Sequence, residues 1–319
     1  MHSVILGNTG ICTSALGFGC SGLMRQESEQ EKFALLSAAM ESGIRHFDVA
    51  RYYGHGEAEG VLGRFLKDRK LRDDVTFTTK FGLEPTVISG SSGGKVLMHF
   101  ARRAAALNPL IHKALSRFAN RQVRTGCFHP ESARRSLETS LRELQTDRID
   151  ILLLHEVKAE DLDTPGLWEF LLNMKAEGKI RAFGLGSNFQ STLNILGKTP
   201  EYGEIVQIPN SVGEWNIAAL PEFSAGGLLT HGALKRLKDL QHAMQTQPLV
   251  MGSGAITASE LAGWLLGLAL QSNPTGVTLF STTNRARITK NVADAAAHRD
   301  VPPSEWDAFR QAAERLLSV

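Results

Sequence analysis

Eight short apolar runs, separated mostly by helix-like stretches, predict an α/β protein built as a (β/α)8 TIM barrel. Most of these runs lack a clean alternation of polar and apolar residues, which is typical of parallel strands covered on both faces. A chain of 319 residues has the size of one such barrel, so we expect a single domain over 1–319. The runs cover residues 15–19, 44–50, 75–79, 148–155, 179–186, 204–208, 227–232 and 276–281.

Helix signals lie between several of these runs. The stretch 27–43 has acidic residues in its first turns and closes with Gly43, the expected start and stop of a helix. The stretch 129–144 has a proline near its start and a leucine stripe at helical spacing. The most apolar window, 261–270, is too short to span a bilayer and is predicted to be a buried helix.

A doubly wound sheet is the competing fold, and it usually carries a glycine-rich phosphate loop after its first strand. The stretch "GFGCSG" (17–22) has the spacing of such a loop. No helix signal opens directly on it and no ribose-binding acid is well placed, so we reject this alternative.

Composition excludes several classes of partner. A formal charge of +2 is too small to argue for nucleic acid or a membrane surface. The three cysteines, Cys12, Cys20 and Cys127, are odd in number and share no metal-ligand spacing, which fits a reducing compartment. The first residues lack a basic segment followed by a long apolar core, so no signal peptide is expected. These features predict a soluble, cytoplasmic protein.

In a barrel of parallel strands, function sits at the carboxyl ends of the strands. Polar residues stand at the ends of seven of the predicted runs or just beyond them, and their chemistry is complementary. They are Asp48, Lys80, His155, Ser187, Asn188, Gln207, Thr230, His231, Ser281 and Thr282.

Four of the residues near these ends could support one reaction. A tyrosine such as Tyr53 titrates near ~10 and is a poor acid at neutral pH. A lysine such as Lys80 would lower that pKa, and Asp48 would hold the lysine in place and charged. His155 could orient a carbonyl oxygen. The set predicts a proton donor for reduction of a carbonyl by hydride transfer, with the hydride delivered by a cofactor.

With these residues in this order, the chain resembles the aldo-keto reductase superfamily over nearly its whole length. The stretch 47–67 is similar to the most specific signature of that family, which carries the aspartate and, just before a glycine, the tyrosine. The other matching segments are "LGNTGICTSALGFGCSGL" (an N-terminal hairpin and the first barrel strand), "FTTKFG" (77–82), "RIDILLLHEV" (148–157), "GKIRAFGLGSNF" (178–189) and "FSTTNRARITKNV" (280–292).

The resemblance implies a role for each matching residue. Tyr53 would be the general acid and base, Lys80 its pKa-lowering partner, Asp48 the partner of Lys80, and His155 the group that orients the carbonyl. The cofactor would be NADP, with NAD also possible. Its nicotinamide amide would be held by Ser187, Asn188 and Gln207, its 2′-phosphate by Ser281, Thr282 and Arg287, and its adenine by Asn291.

The chain departs from the family pattern at several cofactor positions. Asn210 stands where many members have a tyrosine that stacks on the nicotinamide, and Trp215 is either a substitute or a buried loop anchor. Ser281 replaces a lysine common in NADP-preferring members, which leaves Arg287, with Arg285 as a further candidate, to provide positive charge. His231 lies where the family usually has a serine-proline or tyrosine-proline segment. It could contact the pyrophosphate or the nicotinamide ring, or it could cap the following helix, which is the reading that we favour.

An extra helical insertion is predicted after the third barrel strand, at 83–128. Its first part reads as a flexible Gly/Ser linker and its second part as a basic helix. A solvated helix is the first reading, and a lid over the carboxyl rim or a partner surface are the alternatives.

Three functions compete for this sequence. The first is an oxidoreductase that reduces an aldehyde or ketone, or oxidises the corresponding alcohol or sugar. The second is a dinucleotide-sensing scaffold with little turnover, against which the four intact residues argue. The third, metal-dependent hydrolysis, would need clustered His and carboxylate ligands. We expect no metal, a small-molecule carbonyl or alcohol as the partner, and an oligomeric state that the sequence leaves open.

Overall fold

Eight parallel strands close into a barrel in the computed structural model, which describes residues 2–85, 123–220, 226–251, 254–298 and 300–318. Each strand pairs with the next along the chain, and the last pairs with the first, so the predicted (β/α)8 barrel is confirmed. Each of the eight predicted runs overlaps a barrel strand. The barrel strands are β3 (Leu16–Gly19), β4 (His46–Asp48), β5 (Thr76–Phe81), β8 (Ile149–His155), β9 (Ile180–Gly186), β10 (Ile205–Pro209), β11 (Gly227–His231) and β14 (Val277–Phe280).

Burial on both faces explains the missing polar/apolar alternation. Every residue of β4, β5 and β14 is buried, and β8 is buried except at its last residue. One face of each strand lines the barrel interior and the other packs under the surrounding helices, so apolar residues suit both faces.

Helices follow most of the barrel strands. The described helices are α1 (Glu29–Glu41), α2 (Ala58–Asp68), α3 (Pro130–Leu144), α4 (Leu167–Ala176), α5 (Phe189–Leu196), α6 (Leu237–Ala243), α7 (Leu261–Ser272), α8 (Arg285–Ala297) and α9 (Pro303–Leu317).

Capping residues determine where these helices begin. Ser28 and Glu31 form a capping box at the start of α1, since each side chain accepts a hydrogen bond from the other residue's backbone N–H. Pro130 occupies the first position of α3, where its missing N–H costs nothing. The predicted helices at 27–43, 129–144 and 261–270 are therefore confirmed, with ends shifted by at most two residues.

An N-terminal hairpin covers the amino-terminal end of the barrel. Its strands are β1 (Ser3–Ile5) and β2 (Cys12–Ser14), which pair in antiparallel fashion. Leu6 and Ile11 are fully buried and belong to one apolar cluster with residues of the barrel interior such as Ile151. The hairpin therefore forms the floor of the barrel.

The predicted insertion starts and ends at a short antiparallel pair. Strand β6 (Glu84–Pro85) pairs with β7 (Val123–Arg124), which places the two ends of the segment side by side. The predicted Gly/Ser linker and basic helix, at 86–122, lie outside the described residues. One more small hairpin, β12 (Val250–Met251) with β13 (Gly254–Ala255), precedes α7. Within the described ranges, no helix combines the length and the apolar character needed to cross a membrane.

Candidate active site

Polar side chains converge at the carboxyl end of the barrel, as the sequence predicts. Asp48 is the last residue of β4, Lys80 is next to last in β5, and His155 ends β8. Asp48 is in register with Thr78, so Lys80 lies two residues further along the same face of the neighbouring strand. The ends of these strands thus bring their side chains to one rim.

A short turn carries Tyr53 back to this rim. Residues Tyr53–Gly56 form one turn of 3-10 helix after β4. Gly54 has a φ of 61°, and a Cβ there would lie 2.1 Å from Cγ of Met24. Only glycine satisfies both the left-handed backbone and the close approach, which explains the glycine that follows the tyrosine.

Asp48 and Lys80 form a buried ion pair. The Lys80 Nζ donates to both carboxylate oxygens of Asp48, at 2.8 and 2.7 Å, and the two side chains are 1% and 6% exposed. Burial is the largest single effect on Asp48 and would raise its pKa, but the Lys80 charge and the hydrogen bonds from Lys80 and Gln207 together lower this pKa. Burial would likewise lower the pKa of Lys80, and Asp48 and Tyr53 together reverse this to a raised pKa. Both groups are therefore charged at neutral pH.

Tyr53 lies against this pair. Its hydroxyl oxygen is 3.2 Å from Lys80 Nζ and 3.5 Å from Asp48 Oδ1. The Lys80 Nζ is also 4.9 Å from the centre of the tyrosine ring, within range of a cation–π contact. Burial raises the pKa of Tyr53, and the opposing effect of the Lys80 charge does not cancel it. Lys80 thus acts on the pKa of Tyr53 in the expected direction, but the larger effect of burial leaves this pKa above its ordinary value.

His155 faces Tyr53 across the site. The two rings meet edge to face with their centres 6.2 Å apart. Burial, assisted by the Lys80 charge, lowers the pKa of His155 to about 3, so the imidazole is neutral at physiological pH. Its Nδ1 is buried and has no hydrogen-bond partner among the described residues. His155 lines the cavity, and a neutral imidazole has one donor nitrogen with which it can hold an oxygen atom.

A cavity of about 440 Å³ opens onto these groups. Three charged or polar residues on its wall, Ser21, Glu156 and Lys235, are absent from the sequence prediction. The residues that line the cavity are Gly19, Ser21, Asp48, Tyr53, His155, Glu156, Gly186, Ser187, Gln207, His231, Gly232, Ala233, Leu234, Lys235, Leu279, Phe280 and Ser281.

The residues predicted to hold the nicotinamide amide separate into two groups. Gln207 and Ser187 line the cavity. The Gln207 Nε2 donates to Asp48 Oδ2 at 2.6 Å, and the Ser187 Oγ donates to the carbonyl of Val157 at 2.9 Å. Asn188 is exposed and does not line the cavity. Its side chain instead accepts from the backbone N–H of Ser191 and begins α5.

The predicted phosphate-binding residues lie around the start of α8. Ser281 lines the cavity, whereas Thr282 is half-buried and Arg287 is exposed. The side chain of Asn284 caps the helix by accepting from the Arg287 backbone N–H at 3.2 Å. Asn291, predicted to contact the adenine, is 6% exposed on the same helix.

Arg285 lies apart from this group. It lines a separate groove between α1 and α8, together with Phe33 and Arg69. The structure therefore places Arg285 and Arg287 in different surroundings, although they are two residues apart.

The alternatives left open for Trp215 are resolved by its contacts, and Asn210 holds the same loop. The Trp215 indole N–H donates to Glu314 of α9, and the guanidinium of Arg310 lies 5.7 Å from the centre of its ring. Trp215 is thus a loop anchor. Asn210 is 1% exposed and its Oδ1 accepts from the backbone N–H of Ile217, so it holds the same loop from inside.

His231 lines the cavity, and the expectation that it caps a helix is wrong. The next helix, α6, begins only at Leu237, and its N-cap residue is Arg236. Burial lowers the pKa of His231, so this imidazole is also neutral at physiological pH.

A buried ion pair between Arg51 and Glu59 was not predicted. Glu59 of α2 has a fully buried side chain, whose carboxylate accepts from Arg51 at 3.1 Å and from the Thr79 hydroxyl at 2.6 Å. Arg51 belongs to the turn before Tyr53, and Thr79 is the neighbour of Lys80. Glu59 therefore joins the segments that carry these two residues. In the sequence it reads as an ordinary acid near the start of a helix.

Metal ligands are not clustered here. Within the described part of the chain, no group of three or more His, Cys, Asp or Glu side chains could hold a metal ion.

Comparison with known proteins finds curated relatives that are named as dehydrogenases. The chain is 33% identical to the D-threo-aldose 1-dehydrogenase of Pseudomonas sp over 191 residues, which are 58% of this chain and 53% of that protein. It is 30% identical to the pyridoxal 4-dehydrogenase of Microbacterium luteolum, over 57% of this chain and 54% of that protein. The chain thus spans about half the length of the curated relatives it matches.

A solved structure extends the likeness to the whole barrel. The glycerol dehydrogenase of Gluconobacter oxydans superimposes with a TM-score of 0.68 at 17% identity, covering 99% of this chain and 96% of that one. At this identity the likeness concerns the fold. The model of the Aldo/keto reductase family matches residues 15–212, and with the barrel and the rim described above it follows that the chain belongs to the Aldo/keto reductase family.

Proposed function

We propose that the protein is an NADP(H)-dependent oxidoreductase that reduces an aldehyde or ketone, or oxidises the corresponding alcohol or sugar, with Tyr53 as general acid and base. The observation that carries this proposal is the contact of the Tyr53 hydroxyl with the buried Lys80–Asp48 pair at the wall of the cavity. The curated relatives support the reaction class, since they are named for dehydrogenation of a D-threo-aldose and of pyridoxal.

The residues at the rim fit a nicotinamide dinucleotide. Gln207 and Ser187 offer amide and hydroxyl groups to a carboxamide in the cavity. Arg287 is exposed, and its guanidinium has no partner among the described residues, at the start of a capped helix. A helix N-terminus and an arginine both favour a phosphate group. These residues would therefore hold the nicotinamide and the 2′-phosphate respectively.

When bound, NADPH supplies the hydride, and NADP⁺ accepts it in the reverse direction. Because the pKa of Tyr53 is raised, its hydroxyl keeps a proton at neutral pH and can donate it to a carbonyl oxygen. Lys80 lies 3.2 Å from the same hydroxyl and would stabilise the phenolate left behind. Neutral His155 would orient the carbonyl oxygen by a hydrogen bond, and its low pKa prevents it from competing as the acid.

The raised pKa of Tyr53 gives the two directions opposite pH dependences. Reduction needs the protonated tyrosine and is favoured below its pKa, whereas oxidation needs the phenolate and is favoured as pH rises toward that pKa. Measured with one substrate pair, the ratio of oxidation to reduction rates should therefore rise with pH between about 6 and 9.

Cofactor binding is the first test. None of the four tryptophans lines the cavity, so binding is best followed by the fluorescence of NADPH and NADH themselves. Arg287→Gln is expected to weaken NADPH by roughly tenfold, the value of one charge-assisted hydrogen bond at an exposed site, and to leave NADH unchanged. Arg285→Gln is the matched control, because Arg285 lies in a different groove.

Turnover is the second test. With NADPH and a panel of aldehydes, Tyr53→Phe should lower kcat by roughly 10²- to 10⁴-fold while NADPH binding persists. Tight cofactor binding without turnover of any carbonyl by the unaltered enzyme would favour the dinucleotide-sensing scaffold instead. Absence of binding to either nucleotide would refute the cofactor assignment.

A further inference from the structure

Glu156 has an unusual backbone for its place in the fold. Three residues other than glycine have a positive φ among the described residues, namely Lys70, Gln145 and Glu156. Lys70 and Gln145 lie just past the ends of α2 and α3, where a left-handed residue commonly terminates a helix. Glu156, with a φ of 52°, instead follows a barrel strand at the wall of the cavity. A strained residue at such a place suggests a role for its side chain.

The Glu156 backbone is held in register. Its N–H donates to the carbonyl of Gly186 at 3.0 Å, which continues the pairing of β8 with β9 one residue beyond His155. The position of Glu156 relative to His155 is therefore determined by the barrel itself. Its side chain is carried on a rigid element rather than on a long loop.

The Glu156 carboxylate is also free. Three residues with formal charges line the cavity, and two of them have partners, since Asp48 is bound by Lys80 and Lys235 by Glu214 at 2.7 Å. Glu156 has no ion pair and no side-chain hydrogen bond to any described residue. An ionised carboxylate accepts hydrogen bonds and donates none, so this wall of the cavity offers unused acceptors.

The chemistry of the wall points to a substrate with hydroxyl groups. A hydroxyl can donate to Glu156 and also accept from groups such as Ser21 or Lys235, which share the cavity. A substrate that bears its own carboxylate would be repelled by Glu156. Glu156 is exposed, and an alkyl substrate would displace water from its carboxylate without replacing those hydrogen bonds. A neutral polyhydroxylated carbonyl or alcohol matches all of these groups.

We propose that Glu156 is a specificity-determining residue, which accepts hydrogen bonds from hydroxyl groups next to the reacting carbon and so selects polyhydroxylated, uncharged substrates. This inference rests on the proposed oxidoreductase function of the same site. It assigns substrate recognition to Glu156, and proton transfer to Tyr53, Lys80 and His155.

The test compares two aldehydes that differ only in their hydroxyl groups, glyceraldehyde and propanal, together with the anionic succinic semialdehyde. Glu156→Gly removes the carboxylate and suits the left-handed backbone, so the fold should be retained. Its ratio of kcat/KM for glyceraldehyde over propanal should fall by roughly tenfold or more. Glu156→Gln should raise kcat/KM for succinic semialdehyde several-fold, because the repulsion is removed.

Glu160→Gln is the matched control, since Glu160 is exposed on the same loop and does not line the cavity. The inference would be overturned if the ratio of kcat/KM for glyceraldehyde over propanal were unchanged in both Glu156 variants, or if it fell equally in Glu160→Gln. Continued turnover of propanal would in that case still support the proposed function. If the unaltered enzyme reduces none of the three aldehydes and oxidises no polyol, the proposed function fails and this inference fails with it.

Discussion

Asp48→Asn should reveal the energy of the buried ion pair. The substitution keeps the shape of the side chain but leaves the Lys80 ammonium, 1% exposed, without its counter-charge. Removing one partner of a buried pair costs about 3–5 kcal/mol. Lys80 can limit this cost by losing its proton, which at pH 7 requires about 4–5 kcal/mol from an ordinary lysine pKa. The two estimates of the loss in unfolding free energy agree. The remaining contact of Lys80 with Tyr53 at 3.2 Å favours the lower end of the range.

The pH dependence of this cost has a defined sign. The pKa of Asp48 is lowered in the folded chain, so its contribution is present above the unfolded value of about 4 and is lost as pH falls through the folded pKa. The pKa of Lys80 is raised, so its contribution is present below about 10 and is lost as pH rises through the folded pKa. The difference in unfolding free energy between the parent and Asp48→Asn should therefore be constant between about pH 5 and 9 and become smaller outside that range.

Urea unfolding of both proteins, followed by circular dichroism over this pH range, measures the difference. Asp73→Asn is the control, because the Asp73–Arg148 pair lies at the surface with Asp73 86% exposed, and it should change nothing measurable. A variant within about 1 kcal/mol of the parent at pH 7, or a difference that stays undiminished at low pH, would contradict the reasoning.

Three further outcomes are expected. Gly184→Ala should destabilise the fold by about 3 kcal/mol or more, because its Cβ would lie 1.8 Å from a carbonyl oxygen of the neighbouring strand. Gly186→Ala should cost under about 1 kcal/mol, because the nearest atom to its Cβ would be 3.3 Å away. Thermal melts of the two variants measure the difference. Glu59→Gln should cost about 2–4 kcal/mol in urea unfolding, since it leaves the Arg51 guanidinium, 14% exposed, without its counter-charge. The pKa of His155 is about 3 when folded and about 6.5 when unfolded, so stability should fall as pH drops through that interval, and His155→Gln should flatten the slope.

The barrel and the rim could be predicted because their signals are local. A strand buried on both faces reads as a continuous apolar run, and a polar residue at its end reads as a rim position. Asp48, Lys80 and His155 follow this rule, since Asp48 and His155 line the cavity and Lys80 is bound to Asp48 beside it. The position of Tyr53 at the rim was predicted with the help of the family resemblance, because the residues next to it in the sequence do not show that the turn folds back.

The features that were missed depend on partners distant in the sequence. Glu59 has the pattern of a surface acid, and only the packing of α2 on β5 brings Thr79 against it. The sign of the Tyr53 pKa shift depends on how deeply the ring is buried relative to its distance from Lys80, and neither quantity is present in a sequence. Glu156 follows His155 directly, but its left-handed backbone becomes visible only in three dimensions.

Under the proposed function, the hairpin floor has a consequence for the order in which cofactor and substrate bind. Among the described residues, Leu6 and Ile11 fill the amino-terminal end of the barrel, so the cavity opens at the carboxyl rim. Two ligands that both enter at this rim cannot pass each other inside the cavity. Whichever of them reaches deeper must arrive first and depart last, so steady-state kinetics should follow a compulsory sequence, and product inhibition patterns should identify the ligand that binds to the empty enzyme.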